Sequence, residues 1–479
     1  MSSTTPDKAK SQSSATPPGS GPGDEEEIYA KHQKVYPREV HGIFATWRVI
    51  GVLVLLGLYY LLPWFRWDGH QAVLFDLPAR KFYVFGLTFW PQDFFYLAAL
   101  LIVAALSLFF FTALAGRLWC GYACPQTVWT EVFLWIERKV EGDRNRQMKL
   151  DRAPWSARKF ALKAGKHALW LAFAAWTGFT FVGYFTPITE LGARLVQFSL
   201  GPWETFWIIF YGFATYGNAG WMREQVCIYM CPYARFQSAM FDKDTLVISY
   251  DEQRGEPRGS RKKGVDYQSL GLGDCIDCTL CVQVCPTGID IRNGLQYQCI
   301  GCAACVDVCD QVMDKMGYPK GLIRYTTENA MEGRRSHPLR PRVIVYAVLL
   351  AAILGALVYG ITQRIPLRLD VIRDRNALYR TTNQGLVENI YTLKVINMDE
   401  RAHTYTLSLA DLPGASLAPG QGTITVPAGE VANVPVQVRI DPARLEHTGN
   451  DVEFRLQAQD DPNLRIEATS RFIGPITRR

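Results

Sequence analysis

The chain has 479 residues, 48% hydrophobic, 13% aromatic and 20% charged, with a formal net charge of +6. A mean hydropathy of −0.01 at that charge content is too apolar for one soluble domain, so membrane spans and polar domains must share the chain. The modest charge, with no basic stripe carrying interleaved aromatics, excludes a nucleic-acid partner.

Residues 1–24 are rich in Ser, Thr, Pro and Gly and run into Glu25, Glu26 and Glu27. That composition buries nothing and predicts a disordered N-terminus over residues 1–40. It lacks the basic start, apolar stretch and small-residue cleavage site of a signal peptide, so none is expected. Five charge-free stretches follow, at 49–65, 94–115, 168–188, 205–222 and 343–363. Spanning a hydrocarbon core takes about 20 residues, and the first and fourth stretches lie near the lower limit. Lys and Arg crowd the segments before the first stretch, between the second and third, and between the fourth and fifth. The positive-inside rule therefore places the N-terminus and the segment after the fourth stretch in the cytoplasm and the C-terminus outside.

Two short motifs recur at the cytoplasmic ends of this arrangement. Cys120-Gly-Tyr-Ala-Cys124-Pro125 follows the second stretch and Cys227-Ile-Tyr-Met-Cys231-Pro232 follows the fourth. Cysteines four apart share one helix face, and each proline suits the start of a new helix. After Pro125, Val128, Val132, Trp135, Ile136 and Val140 recur at helical spacing with charges between them, as in a helix lying in the membrane interface. The repetition makes the first two spans look like a copy of the third and fourth. Cys120, Cys124, Cys227 and Cys231 are candidate catalytic residues. Four soft thiols suit Cu(I), Zn or iron–sulfur iron, and they also suit a dithiol–disulfide cycle. Packing alone is the plain alternative, since a buried cysteine is a small hydrophobe.

The other eight cysteines carry one spacing twice. Cys275, Cys278, Cys281 and Cys285 precede Pro286; Cys299, Cys302, Cys305 and Cys309 precede Asp310. This is the bacterial spacing for two 4Fe–4S clusters, in which the fourth cysteine of each run crosses to the other cluster. Cys275, Cys278, Cys281 and Cys309 are thus assigned to one cluster, and Cys285, Cys299, Cys302 and Cys305 to the other. A pair of zinc sites more often shows well-separated Cys-x-x-Cys pairs. Cluster assembly needs reduced thiols, which independently puts this run in the cytoplasm.

After Arg364 the pattern changes to alternation. Tyr391, Leu393 and Val395 form one such set, and Val434, Val436, Val438 and Ile440 another, with turn-forming residues at 383–385, 419–422 and 460–463. Short strands at that spacing predict an immunoglobulin-like sandwich. It carries no visible catalytic constellation, so docking, a lid or inert bulk are its open roles. The seven histidines are scattered, no Cys-x-x-Cys-His attaches haem, and no Gly-x-Gly-x-x-Gly opens a nucleotide-binding unit.

The expected fold is an α-helical membrane protein of five transmembrane helices with an inserted two-cluster ferredoxin-like α+β domain and a C-terminal all-β immunoglobulin-like sandwich. The expected domains are a four-helix bundle at 44–240, a cytoplasmic ferredoxin domain at 241–340, a fifth span at 341–364 and a periplasmic domain at 365–479.

The segment Tyr36-Pro37-Arg38-Glu39-Val40-His41-Gly42, both Cys-x-Tyr-x-Cys-Pro motifs, the twin cluster run, the fifth span and the terminal sandwich together resemble the FixG/CcoG family of membrane-bound ferredoxin-like proteins. The resemblance covers nearly the whole chain after its first residues. It implies a multi-pass protein of the bacterial inner membrane, acting in maturation of cbb-type cytochrome c oxidase. It further implies reduction of Cu(II) to Cu(I), copper and oxidase assembly factors as partners, and a cytoplasmic electron donor. Asp310 departs from the usual Cys-Pro ending and is expected to tune geometry or potential at most. A polyferredoxin feeding a quinone or a respiratory reductase, and a copper-binding assembly scaffold, are the alternative functions.

Overall fold

A computed structural model describes residues 34–475 except Asp68, Gln268, Glu400 and Glu446; the disorder expected for residues 1–33 falls outside the described residues. The longer helices are, in chain order, α1 (Ile43–Leu61), α2 (Phe94–Ala115), α3 (Pro125–Glu141), α4 (Ala157–Val182), α5 (Pro202–Thr215), α6 (Ala304–Met316) and α7 (Pro341–Thr362). Among the described residues, α1 with its 3-10 extension to Trp64, α2 with its lead-in from Pro91, and α7 are long and apolar enough to cross a membrane. Their apolar side chains face outward: Leu53, Leu101 and Val348 are all exposed. In water that face would cost much of the hydrophobic term; in lipid it costs nothing.

The other two apolar stretches form helices of a different kind. The helix at 168–188 begins earlier, as α4, because Ser156 caps it by accepting from the Lys159 amide at 3.2 Å. Its first turns carry Arg158, Lys159, Lys163 and Lys166, and it ends before Gly183. α5 is short and runs into π-helical turns at Tyr216–Met222 and Val226–Met230. Such turns interrupt a regular helix and are frequent at functional sites.

The expected repeat of span pairs holds for one pair only. α4 packs along α5, but α2 packs chiefly along α7, while α1 leans on α3, α4 and α6. The N-terminal end of α1 and the C-terminal end of α2 are thereby left apart. α3 is also more deeply set than an interfacial helix, since Phe133, Ile136 and Glu137 are buried. The Glu137 carboxylate pairs with Arg223 at 2.7 Å, Lys34 at 3.3 Å and Lys166 at 3.5 Å. Burial raises its pKa, and these cations more than offset that and hold it below the usual carboxylate value.

At the far end of α2 and α7 the chain between α1 and α2 forms a small antiparallel sheet, Val73–Asp76, Lys81–Val84 and Leu87–Phe89. The C-terminal part is a two-sheet sandwich. One sheet runs Ser416–Leu417, Val431–Ile440, Val387–Asn397, Leu367–Arg373; the other runs Thr423–Val426, His403–Ala410, Gly449–Ala458, Arg465–Ile473. The alternating residues Tyr391, Leu393, Val395, Val436 and Val438 pack with Tyr405 and Phe454 between the sheets. Arg364 ties the sandwich to the membrane part by an ion pair with Asp93 at 2.6 Å, beside a contact of Trp90 with Ile396 and Met398.

Candidate functional site

At the opposite end of α2 and α7 lies the cysteine-rich part. Its frame is small: strand Val247–Tyr250 pairs antiparallel with Ile323–Thr326, and the short helix Leu280–Gln283 packs on α6. The two cysteine runs fold alike. Asp277 and Thr279 in the first run and Gly301 and Ala303 in the second take positive φ, after which Leu280 and Ala304 each begin a helix. Left-handed backbone at Thr279 and Ala303 is a costly conformation for non-glycine residues, and such strain gathers at functional sites. Cys278 and Cys281 flank the first of these turns and Cys302 and Cys305 the second, each pair lining one cavity.

The structure brings the eight cysteines around two cavities. Cys275, Cys278, Cys281 and Cys309 line the first, with Tyr250 and Met313. Cys285, Cys299, Cys302 and Cys305 line the second, where Cys281 also reaches the wall. Cys285 and Cys309 have crossed between runs. Burial pushes the thiols of Cys281, Cys309 and Cys299 up to about 12, and neighbouring thiols push the same way. A thiolate in such a place needs a bound cation, so four thiols per cavity fit an iron–sulfur cluster by donor chemistry. Asp310 accepts from the Gly321 amide at 2.9 Å and so closes the turn after α6.

The cavities differ in surroundings. Cys278 is exposed at the first, whereas Cys302 at the second is buried. What covers the second is the membrane part. A Cβ on Gly121 would lie 2.8 Å from the Gly301 carbonyl oxygen and 3.0 Å from Cys302 Cα, so only glycine permits this approach. Gly121 sits between Cys120 and Tyr122 in the first membrane-edge motif. Arg117, one turn earlier, donates to the carbonyls of Tyr297, Cys299 and Ala234 and to Ser238 Oγ at 2.7 Å. One guanidinium thus clamps the second cysteine run to the helix Tyr233–Ala239 that follows Cys231.

The four membrane-edge thiols gather beside this clamp. Cys120 is within electrostatic reach of Cys124, Cys227 and Cys231, and burial pushes the thiols of Cys120 and Cys227 up to about 12. Cys120 Sγ also lies 3.3 Å from Gln237 Oε1. Cys124 precedes Pro125, which begins α3, and Gln126 holds the π-helical segment by donating to the Asn218 and Arg223 carbonyls at 2.8 and 3.1 Å. Among the described residues no three His, Cys, Asp or Glu groups converge on a single point as a mononuclear metal site would require.

Residues 34–42 correct one expectation. The sequence predicts disorder through residue 40, but specific bonds fix the chain from Lys34 onward. Tyr36 donates to Asp151 at 2.6 Å, the Arg38 amide to the Gln283 carbonyl at 2.8 Å, and Gln311 to the His41 carbonyl. Val40 packs with Cys120, Ile300 and Cys302. Asp307 of α6 then accepts from the Phe44 and Ala45 amides at 3.2 and 2.7 Å, capping α1. A carboxylate at a helix N-terminus is stabilising, and this one comes from across the chain. Residues 34–42 are therefore a strap over both cysteine runs. Their local sequence carries no signal of it, as every partner is distant in the chain.

Residues 222–328 match the family described as a 4Fe-4S dicluster domain, residues 97–141 a 4Fe-4S binding domain, and residues 357–475 the Ig-like fold at the C-terminus of FixG. The nitrogen fixation protein FixG of Rhizobium meliloti is 40% identical over 478 residues, covering 90% of this chain and 91% of that protein. The chain belongs to the FixG family. Protein RdxB of Cereibacter sphaeroides is 41% identical over 452 residues, covering 90% of this chain and 94% of that protein. A crystal structure of a FixG-related protein from Vibrio parahaemolyticus matches at 41% identity with a TM-score of 0.21, covering 22% of this chain and 95% of that one. In this FixG-family chain the two segments matched as 4Fe-4S-binding contain all twelve cysteines, the membrane-edge four included.

Proposed function

We propose that this protein is a membrane-bound iron–sulfur electron carrier that reduces Cu(II) to Cu(I). Cys275, Cys278, Cys281 and Cys309 would hold one 4Fe–4S cluster, and Cys285, Cys299, Cys302 and Cys305 the other. Clusters bound there supply one-electron transfer, and Cu(II) + e⁻ → Cu(I) is a one-electron step. Cys120, Cys124, Cys227 and Cys231 receive the copper, and soft thiols favour the cuprous product. The observation that carries the reading is the approach of Gly121 to Gly301 and Cys302, which leaves no side chain between the first membrane-edge motif and the second cavity.

In this reading α1, α2, α4, α5 and α7 span a bacterial inner membrane, with the cysteine-rich part cytoplasmic and the sandwich periplasmic. A cytoplasmic donor meets the first cavity at exposed Cys278, and the copper is destined for assembly of a cbb-type oxidase. The test uses anaerobically purified protein, reduced with dithionite, desalted and mixed with Cu(II) and a Cu(I) chelator. Reoxidation of the iron–sulfur absorbance in step with Cu(I) formation, lost when the four membrane-edge cysteines become serine, is expected. Copper bound while the absorbance stays reduced would instead mark a scaffold.

A further inference from the structure

The N-terminal end of α1 and the C-terminal end of α2 flank an open groove of about 700 Å³. Its walls are apolar: Trp47 and Val54 of α1, Leu118 after α2, and Leu246. Trp47 and Val54 are also exposed on the outer, lipid-facing side. A volume of this size is within the usual range for small-molecule sites. Polar groups stand at one end only. There the Tyr122 and Tyr325 hydroxyls lie 3.4 Å apart, and Tyr325 donates to the Gly301 carbonyl at 2.5 Å. Gly301 precedes Cys302, so the polar end of the cavity abuts the wall of the second cysteine cavity.

We infer that this groove binds the ring of a lipid-soluble quinone, with a ring oxygen accepting from the Tyr122 hydroxyl and the tail running out between α1 and α2. An acyl chain would use the apolar walls but has no acceptor for the Tyr122 hydroxyl, whereas a quinone carbonyl is one; Tyr325 keeps its own proton on the Gly301 carbonyl. The long contact between the tyrosines is readily exchanged for one to a carbonyl oxygen. Tyr122 is the tyrosine of the first membrane-edge motif, so the sequence that brings Cys120 to the second cavity also brings a hydrogen-bond donor to this one. The reaction balances with the carriers already named: quinone + 2 e⁻ + 2 H⁺ → hydroquinone. The electrons come singly from the reduced iron–sulfur centre beside Cys302, and the protons come from water at the cytoplasmic edge and form the two new O–H bonds. The site is a second outlet from the second cavity and does not depend on copper.

The test has a binding arm and a redox arm, both on the full chain in detergent with lipid. In the first, a photoreactive azido-quinone is cross-linked and its peptides are mapped. Label on residues 44–55 or 118–123, displaced by a short-tailed quinone and lost in Val54→Trp, is expected; the same label in Val54→Trp, or displacement by phospholipid alone, overturns the site. In the second, dithionite-reduced, desalted protein is mixed with the short-tailed quinone. Reoxidation is expected to slow roughly tenfold in Val54→Trp and several-fold in Tyr122→Phe, which keeps the cavity's shape, while reoxidation by Cu(II) in Val54→Trp stays at the wild-type rate. Iron content checks that each variant is loaded. Equal quinone rates in wild type and both variants would overturn the proposal.

Discussion

The two cysteine cavities are built from the same spacing and the same left-handed turns, yet one opens to solvent at Cys278 and the other is closed over by the membrane part. What differs is what is packed on them, and the difference teaches direction. A one-electron carrier with two equivalent sites has no inherent sense of flow. Here Arg117, Gly121, Val40 and Tyr325 pack around the second site and leave the first open at Cys278. In the proposed function, that asymmetry gives serial transfer from the first site to the second and then to the membrane-edge thiols.

The largest expected effect comes from removing one site. Cys305→Ser should drop iron from about eight to about four per chain and abolish copper reduction. Cys278→Ser should also cost iron, but an artificial reductant small enough to reach the second site should restore part of the activity. Equal, unrescued losses would erase the distinction between the sites. Iron content also separates two readings of the membrane-edge thiols. With Cys120, Cys124, Cys227 and Cys231 changed to serine, a copper site leaves iron at about eight, while a third 4Fe–4S cluster would show as a fall from about twelve.

Gly121→Val comes next. It drives a side chain into the Gly301 carbonyl and should cost about 1–3 kcal/mol, read as a lower denaturation midpoint, with iron retained and copper reduction slowed. Asp307→Ala should be milder. Losing the cap on α1 costs about 1 kcal/mol, and limited proteolysis should then cut more readily within residues 34–42. The smallest test needs no mutation. After iron is chelated, a thiol reagent should alkylate exposed Cys278 well before buried Cys302, with mass spectrometry reporting the order.

The cluster run was legible because spacing alone states it. Three cysteines at intervals of three residues, then a fourth, leave few other chemistries, and crossing of Cys285 and Cys309 follows from the same geometry. Alternation at Val434, Val436, Val438 and Ile440 likewise reads directly as a half-buried strand. The strap was not legible. Tyr36, Arg38 and His41 look like a polar linker until Asp151, Gln283 and Gln311 are brought to them from more than 100 residues away. Glu137 is hidden for the same reason: beside Arg138, Lys139 and Glu131 in sequence it looks like a solvated charge, and only the fold brings Arg223 and Lys166 to it as a buried one. Helix pairing was the other gap. Hydropathy shows where an apolar helix lies but not its neighbour, so the separation of α1 from α2, and the cavity it leaves, belonged to the structure alone.

The serial order is tested most directly by freeze-quench electron paramagnetic resonance of dithionite-reduced protein mixed with Cu(II). The account predicts that in wild type the reduced signals of both sites decay as the Cu(II) signal disappears. In Cys305→Ser, the remaining first-site signal should persist on that timescale. Decay of the first-site signal at the wild-type rate in that variant would contradict a relay through the second cavity.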